Sequence, residues 1–452
     1  MSWIGRANME SLSSFIRCER VFFPNMLFRR RLLRRLTSPH GRKYIASVVK
    51  RGDSSPRAEI HRAAEKGKSY LLPSFNRLVL ITVIGLMLAA VYFFGVGKDM
   101  SDFGVCYKAG QRVIAGETLY RASDGHLQFK YSPASAIFFA LLSLLPYGPA
   151  KLAWYILEFV CLAGVFVLSA RIFGIEKKTA AALFAWTFLV LLKFLAREIE
   201  LGQVNLFILV LLTLMLYFLI KEREMGAGLF WGISLFFKPY VLIFLPYLVF
   251  KKRLKAVAFG LGLFGVGLAV PAFFYGFQGN LAVLKEWPTT LSLSTPRLLG
   301  VYDNASLSGF LLKAFSGMPN SMLTVALVVS VLIIAAVMLE MMKRGRSGPA
   351  TEISEVLEGA FLLVLIPFLS PLGWYYNYLY SWLAVMLIIR FFRKLPTAWK
   401  IIQVINFAVI GSSLVEIWGW TLFRFYTQHS LVVVNYLIVL VTLFYFRAKR
   451  IA

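Results

Sequence analysis

Runs of about 20 apolar residues recur along this chain, and they fix the solvent it folds in. The first is "LVLITVIGLMLAAVYFFGVG" at 78–97. At about 1.5 Å of rise per residue, such a run crosses a hydrocarbon core of roughly 30 Å. In that core only helices and closed barrels satisfy every backbone hydrogen bond. Barrel strands alternate apolar and polar residues, and these runs do not alternate. The chain has 452 residues, 59% of them hydrophobic, more apolar surface than a soluble protein of this size can bury. The expected fold class is all-α, a polytopic helical membrane protein.

The net charge of +27 invites a nucleic-acid reading, and its distribution argues against one. Much of it lies in residues 1–77, with "FRRRLLRRL" at 28–36, and in short loops between apolar runs. That is the positive-inside pattern of a membrane protein. Residues 1–77 therefore read as a basic cytoplasmic extension whose partner is the lipid bilayer, with no nucleic acid. Residues 78–452 form the transmembrane domain.

With the basic arm inside, 78–97 runs outward and 98–147 becomes the first outer loop. Within it, "YSPASAIFFALLSLLP" at 131–146 is short for a span and is expected to be a helix that lies in the outer interface or re-enters from it. That choice places the basic "RIFGIEKK" loop at 171–178 inside. The further spans are 150–171, 179–196, 203–220, 255–277, 321–342, 356–371, 374–392, 399–419 and 431–447. The first run included, that makes about ten full spans with both termini cytoplasmic. Residues 228–250 differ. Charge brackets both ends, and Lys238-Pro239 sits in the middle. Two short helices in a re-entrant hairpin, with Lys238 near the bend, account for both facts.

This topology collects polar side chains on the outer face. The first loop brings Asp99, Asp102, Arg112, Arg121, Lys130 and Tyr131. The turn after 179–196 brings Glu198, Gln203 and Asn205, and later loops bring Arg297, Asp303, Tyr376 and Asn377. Charges at a lipid edge face a cavity or pair with each other. A cavity of carboxylates, amides, tyrosines and a few cations suits a glycan and a phosphate. A carboxylate at the mouth of the first span, Asp99 or Asp102, can take the proton of an acceptor hydroxyl as that oxygen attacks an activated sugar. A phosphate leaving group needs cations or donors beside it, and Lys238, Arg112, Arg121 and Arg297 are the candidates.

Cys18, Cys106 and Cys161 are too scattered for a disulfide framework, and His40, His61, His126 and His429 show no ligand spacing. No cofactor is expected. A divalent metal stays open, although no cluster of acids to hold one is evident.

The stretch "SDFGVCYKAGQRVIAGETLYRASDGHLQFKYSPASAIFFALLSLLP" resembles the signature region of glycosyltransferase family 87. Asp102-Phe103, Tyr107 to Val113, Gly116 to Tyr120 and Phe129 to Pro133 carry the likeness. "GQVN" at 202–205, "FKPYVLIFLPYLVFKKR" at 237–253, "SLSG" at 306–309 and "LSPLGW" at 369–374 follow in the family's order. The likeness runs from about residue 78 to 395. It implies a GT-C type fold, a polyprenyl-phosphate sugar donor, often of mannose, and an inverting transfer. It also implies a site facing the exterior, with the family's catalytic Asp falling on Asp102. At Tyr376 the chain departs from the family, where many members carry His.

The expected function is a membrane glycosyltransferase with both termini inside a bacterial inner membrane and its active site on the periplasmic side. It moves a hexose, mannose being the expected one, from a polyprenyl-phosphate donor to a hydroxyl of a lipid or glycan acceptor. Asp102 is the expected base. Lys238, Arg112, Arg121, Lys130, Tyr131, Gln203, Asn205, Arg297, Tyr376 and Asn377 are the expected donor and substrate contacts. The alternative is a flippase for lipid-linked sugars, or another transporter, with no bond-making step.

Overall fold

A computed structural model describes Thr82, residues 85–346 and residues 352–451. The basic arm 1–77 and the start of the first expected span lie outside the described residues. Helices dominate, and among the described residues the nearest thing to a strand is an isolated antiparallel bridge between Asn304 and Trp374. The chain is the expected all-α membrane protein.

In chain order the helices are α1 (Gly85–Lys98), α2 (Ser101–Ile114), α3 (Pro133–Ser143), α4 (Tyr147–Ile172), α5 (Lys177–Leu201) and α6 (Asn205–Ile220). Next come α7 (Glu224–Phe237), α8 (Phe244–Phe250), α9 (Leu254–Ala269), α10 (Ala272–Ser294), α11 (Leu307–Ala314) and α12 (Asn320–Arg346). The series ends with α13 (Glu352–Leu369), α14 (Trp382–Arg390), α15 (Thr397–Ser412), α16 (Val415–Gln428) and α17 (Leu431–Ala448).

Four of the described helices, α4, α5, α12 and α17, are long and apolar enough to cross a membrane unaided. Two bent pairs bring the number to six. The bends alter the expected spans 255–277 and 399–419. The chain turns by 96° between α9 and α10, and by 103° between α15 and α16. Pro271, which cannot donate a helical hydrogen bond, stands at the first corner. At the second, Ser413 leaves helical geometry with ψ 66°. After its corner, α16 keeps Ile417, Trp420, Leu422 and Phe425 exposed, an apolar edge suited to lipid. The expected span 374–392 is also uneven: a 3-10 stretch, Tyr375–Ser381, precedes α14.

Residues 131–146 form a short helix, as expected. Pro133 occupies the first turn of α3, and Ser132 caps it by accepting from Ser135 N. Its 11 residues reach only about 16 Å. It crosses α2 almost backbone to backbone, since a Cβ on Gly110 would lie 2.6 Å from the Phe139 carbonyl carbon.

The 228–250 segment is a hairpin. Lys238 is forced extended by the following proline (φ −138°, ψ 102°), which ends α7. Trp231 Nε1 then donates to Val241 O at 3.0 Å. A straight helix would hold those residues about 15 Å apart. The hairpin's two feet meet as well: Arg253 pairs with Glu222, and Lys255 N donates to Glu224 Oε2 at 3.1 Å. Small residues let α7 lie against α9. A Cβ on Gly228 would come 2.5 Å from Ala256 O, and one on Gly232 would come 2.8 Å from Gly260 O. Close backbone approach of this kind drives helix association where lipid removes the hydrophobic drive.

Candidate active site

The site is built around the N-terminus of α2. Met100 precedes that helix in the left-handed region (φ 55°), and its N–H donates to Glu200 O at 3.0 Å. This ties the start of α2 to the end of α5. The corner between α5 and α6 turns through Gly202 at φ +65°. A side chain there is excluded twice over, by the backbone angle and by Phe103, whose Cβ would lie 2.8 Å from an added Cβ. The tight corner delivers Gln203 onto Asp102.

Gln203 Nε2 donates to Asp102 Oδ2. The same nitrogen lies 3.3 Å from the Tyr376 hydroxyl, and Tyr131 donates to Gln203 Oε1 at 3.4 Å. Gln203 is thus the hub joining a carboxylate to two tyrosines. Burial pushes the Asp102 carboxyl above its ordinary range. The Gln203 hydrogen bond and the charges of Lys238 and Arg197 pull it back, while Asp99 pushes it further up. A carboxyl raised toward the working pH is a better general base than a fully solvated one.

A second group stands beside the first. Lys238, at the hairpin tip, donates to Asn205 Oδ1 and, at 3.3 Å, to Asn377 Oδ1. Tyr380 donates to Asn205 Oδ1 at 3.0 Å. Asn205 Nδ2 donates in turn to the buried Glu198 at 2.6 Å, and Leu206 N donates to its other oxygen at 2.9 Å. The position of Asn377 follows from two distant motifs clasping each other. The side chain of Asn304 donates to Leu299 O and Pro371 O and accepts from Ser306 N and Gly373 N. Ala305 N donates to Gly373 O at 2.7 Å, and Tyr375 N to Asp303 O at 3.2 Å. "SLSG" and "SPLGW" therefore lock together and aim Tyr376 and Asn377 at Gln203 and Lys238.

Of the residues expected from sequence, Asp102, Gln203, Tyr131, Tyr376, Asn205, Asn377 and Lys238 come together. Lys130 is close enough for the charge of Asp102 to act on it, while burial pulls its ammonium below the usual range. Arg112 is engaged elsewhere, bidentate to Asp124 at 2.6 and 2.9 Å. Arg121 pairs with Glu117 at 2.5 Å, and Arg297 is exposed in the turn Pro296–Leu298. Asp99 is exposed, unlike Asp102. Arg197 went unnoticed in the sequence. It pairs with Glu200 at 2.9 Å, and its charge acts on Asp102. Its signal was the cluster "REIE" closing an apolar run. Among the described residues no three His, Cys, Asp or Glu side chains gather as a metal site.

Residues 129–371, more than half of the chain, match the sequence model of glycosyltransferase family 87. The chain belongs to glycosyltransferase family 87. Asp102 lies upstream of the matched family 87 region; Lys130, Tyr131, Gln203, Asn205 and Lys238 lie within it. The chain is similar to two proteins named polyprenol-phosphate-mannose-dependent alpha-(1-2)-phosphatidylinositol pentamannoside mannosyltransferase. The one from Mycobacterium tuberculosis (strain CDC 1551 / Oshkosh) is 29% identical over 205 residues, 43% of this chain and 47% of the relative. The one from Mycolicibacterium smegmatis (strain ATCC 700084 / mc(2)155) is 28% identical over 211 residues, 45% of this chain and 50% of the relative. The chain thus matches about half the length of these curated relatives. No solved structure matches it.

Proposed function

We propose that this family 87 chain is an inverting membrane mannosyltransferase that uses a polyprenyl-phosphate donor and a lipid or glycan acceptor. The observation that carries the reading is the Asp102 carboxylate, half buried and held by Gln203, with the Lys238 ammonium close enough to act on it. Family membership and the names of the two relatives support the sugar and the type of donor.

In this mechanism the acceptor hydroxyl gives its proton to Asp102 as its oxygen bonds to the anomeric carbon. The bond from that carbon to the phosphate oxygen breaks on the opposite face. The electron pair leaves on the polyprenyl phosphate, and the anomeric configuration inverts. Asp102 later returns the proton to water. The departing phosphate gains charge, so it needs cations rather than an acid. Lys238 and Lys130 supply them, while Asn205 and Asn377 fix the direction of the Lys238 ammonium. Tyr131 and Tyr376 can each donate to a sugar hydroxyl or a phosphate oxygen. Tyr376 does so without the positive charge a His could carry. The site faces the periplasm of a bacterial inner membrane, with both termini and the basic 1–77 extension in the cytoplasm.

The test is sugar transfer by the purified full chain in lipid nanodiscs. Labelled polyprenyl-phosphate mannose is the donor, and a membrane lipid extract from the source cell supplies acceptors. A labelled product whose new linkage is inverted relative to the donor is the expected result. Transport of the donor between leaflets with no product would overturn the reading in favour of a flippase.

A further inference from the structure

Glu198 stands in the last turn of α5 and is fully buried, a costly place for a charge. Among the described residues no cation meets it in a direct ion pair. Two donors from α6 reach it instead, Asn205 Nδ2 at 2.6 Å and Leu206 N at 2.9 Å. Capping the first turn of α6 accounts for the second of these bonds. It does not account for a carboxylate, since neutral Ser, Thr or Asn caps a helix as well.

The bonds beyond Asn205 explain the carboxylate. Asn205 Oδ1 accepts from the half-buried Lys238 ammonium and, at 3.0 Å, from the Tyr380 hydroxyl. A carboxylate only accepts, and an ammonium only donates. An amide placed between them has one orientation that satisfies both, with Nδ2 toward Glu198 and Oδ1 toward Lys238. Turned over, it would aim N–H groups at the ammonium and its oxygen at the carboxylate. Glu198 therefore fixes the amide, and the amide fixes the lysine. The two opposite charges act on each other across that amide without touching. A counter-charge at this remove favours the ammonium form and leaves its other N–H groups for a ligand.

A second buried acid shows that position, and not burial, singles Glu198 out. Glu158 of α4 is 2% exposed, and among the described residues neither of its oxygens has a hydrogen-bond partner. No chain of bonds leads from it to Lys238. We propose that Glu198 is the positioning residue of Lys238: through Asn205 it sets where the ammonium points, and it supplies a counter-charge that leaves the ammonium free to hold the donor phosphate. What Lys238 holds rests on the transferase reading; the linkage from Glu198 through Asn205 to Lys238 does not.

The experiment uses the full chain in nanodiscs and two readouts. The first is mannose transfer from polyprenyl-phosphate mannose in a double-mutant cycle. Glu198→Gln keeps the size of the side chain and should slow transfer about tenfold or more, the scale of one hydrogen bond to a charged group. On a Lys238→Met background the same change should slow the remaining transfer less than about twofold. A residue that only caps α6 or fills space would slow both backgrounds alike. Glu198→Asp keeps the charge but draws it back by one carbon. Its smaller loss should also vanish on the Lys238→Met background, so it decides the matter even where Glu198→Gln fails to fold. Glu158→Gln, the control, should transfer at close to the wild-type rate. The second readout needs no turnover. Lys238 is trace-acetylated with acetic anhydride, and mass spectrometry compares it with the exposed Lys98. Only the neutral amine reacts, so Glu198→Gln should raise Lys238 labelling several-fold. Equal losses on both backgrounds, normal transfer by Glu198→Gln, a matching loss in Glu158→Gln, or unchanged Lys238 labelling would each overturn the proposal. The two readings fail separately. Raised labelling with no transfer by wild type sinks the transferase and leaves the linkage, and transfer with unchanged labelling does the reverse.

Discussion

The two ends of α6 (Asn205–Ile220) bury charge in different ways. Beyond its last turn, opposite charges meet directly. Glu358, fully buried, accepts from Arg447 Nη2, and Lys251 Nζ lies 2.6 Å from its other oxygen, a close ion contact outside hydrogen-bond geometry. Arg253 joins Glu222 and Glu355 beside them. At the first turn of α6, about 24 Å away along the helix, Asp102 and Lys238 each bond to a neutral amide. Gln203 holds the acid, and Asn205 and Asn377 hold the base. Charges that answer each other directly have little left for a ligand. Charges steadied by amides keep theirs. The first arrangement fastens the hairpin's feet to α13 and α17, and the second leaves a carboxylate and an ammonium ready for chemistry.

The largest effect on stability should come from breaking the paired end. Glu358→Ala leaves the buried Arg447 and the half-buried Lys251 without their counter-charge and should destabilise the fold by about 3–5 kcal/mol. Denaturant unfolding in a defined detergent reads this, and wild-type stability would break the comparison. Lys238→Met should do the opposite, slowing transfer by about 100-fold or more, as loss of one preorganised donor does. Its unfolding midpoint should stay the same or rise. A large loss of stability with normal turnover would make Lys238 a structural residue.

The third test sharpens the role of Gln203. As the base, Asp102 works deprotonated, so kcat/KM should fall as pH drops through its raised pKa. The Gln203 hydrogen bond stabilises the carboxylate. Gln203→Leu should therefore move the acid limb to higher pH, whereas a purely structural Gln would lower the rate at every pH alike. The smallest effect belongs to Arg112→Leu. Its partner Asp124 is held below the usual carboxylate range by the guanidinium. The pair's contribution is present above the ordinary Asp range and is lost as pH falls through the depressed value. For a partly exposed pair the loss should be about 1 kcal/mol or less, smaller still in high salt, with transfer nearly unchanged.

That contrast also shows how far the sequence could be read. The apolar runs, the hairpin at Lys238-Pro239 and the short helix after Ser132 are local consequences of composition and proline, so they were legible. The bends after Ala269 and Ser412 were missed, because Pro271 and the Gly411-Ser412-Ser413 run interrupt otherwise apolar stretches that are long enough to span. Asp102 was visible through its motif. Its holder Gln203 stood in "GQVN" as one polar residue among several, because their contact joins positions 101 residues apart. Arg112 and Arg121 were read as phosphate ligands because a positive charge in a loop looks the same whether or not an acid answers it. Glu117 and Asp124, in the same loop, answer them. The bond from Lys193 to Ser413 was out of reach too: it joins α5 to the α15–α16 corner across 220 residues of sequence.

The central claim is that Asp102, and not its exposed neighbour Asp99, takes the acceptor proton. The most direct measurement is the initial rate of mannose transfer from polyprenyl-phosphate mannose by Asp102→Asn and Asp99→Asn, side by side with wild type. All three should have matched unfolding midpoints. The account predicts a loss of about 10²–10⁴-fold for Asp102→Asn, the range general-base catalysis supplies, and a near-normal rate for Asp99→Asn. A near-normal rate for Asp102→Asn, with the loss in Asp99→Asn instead, would contradict it.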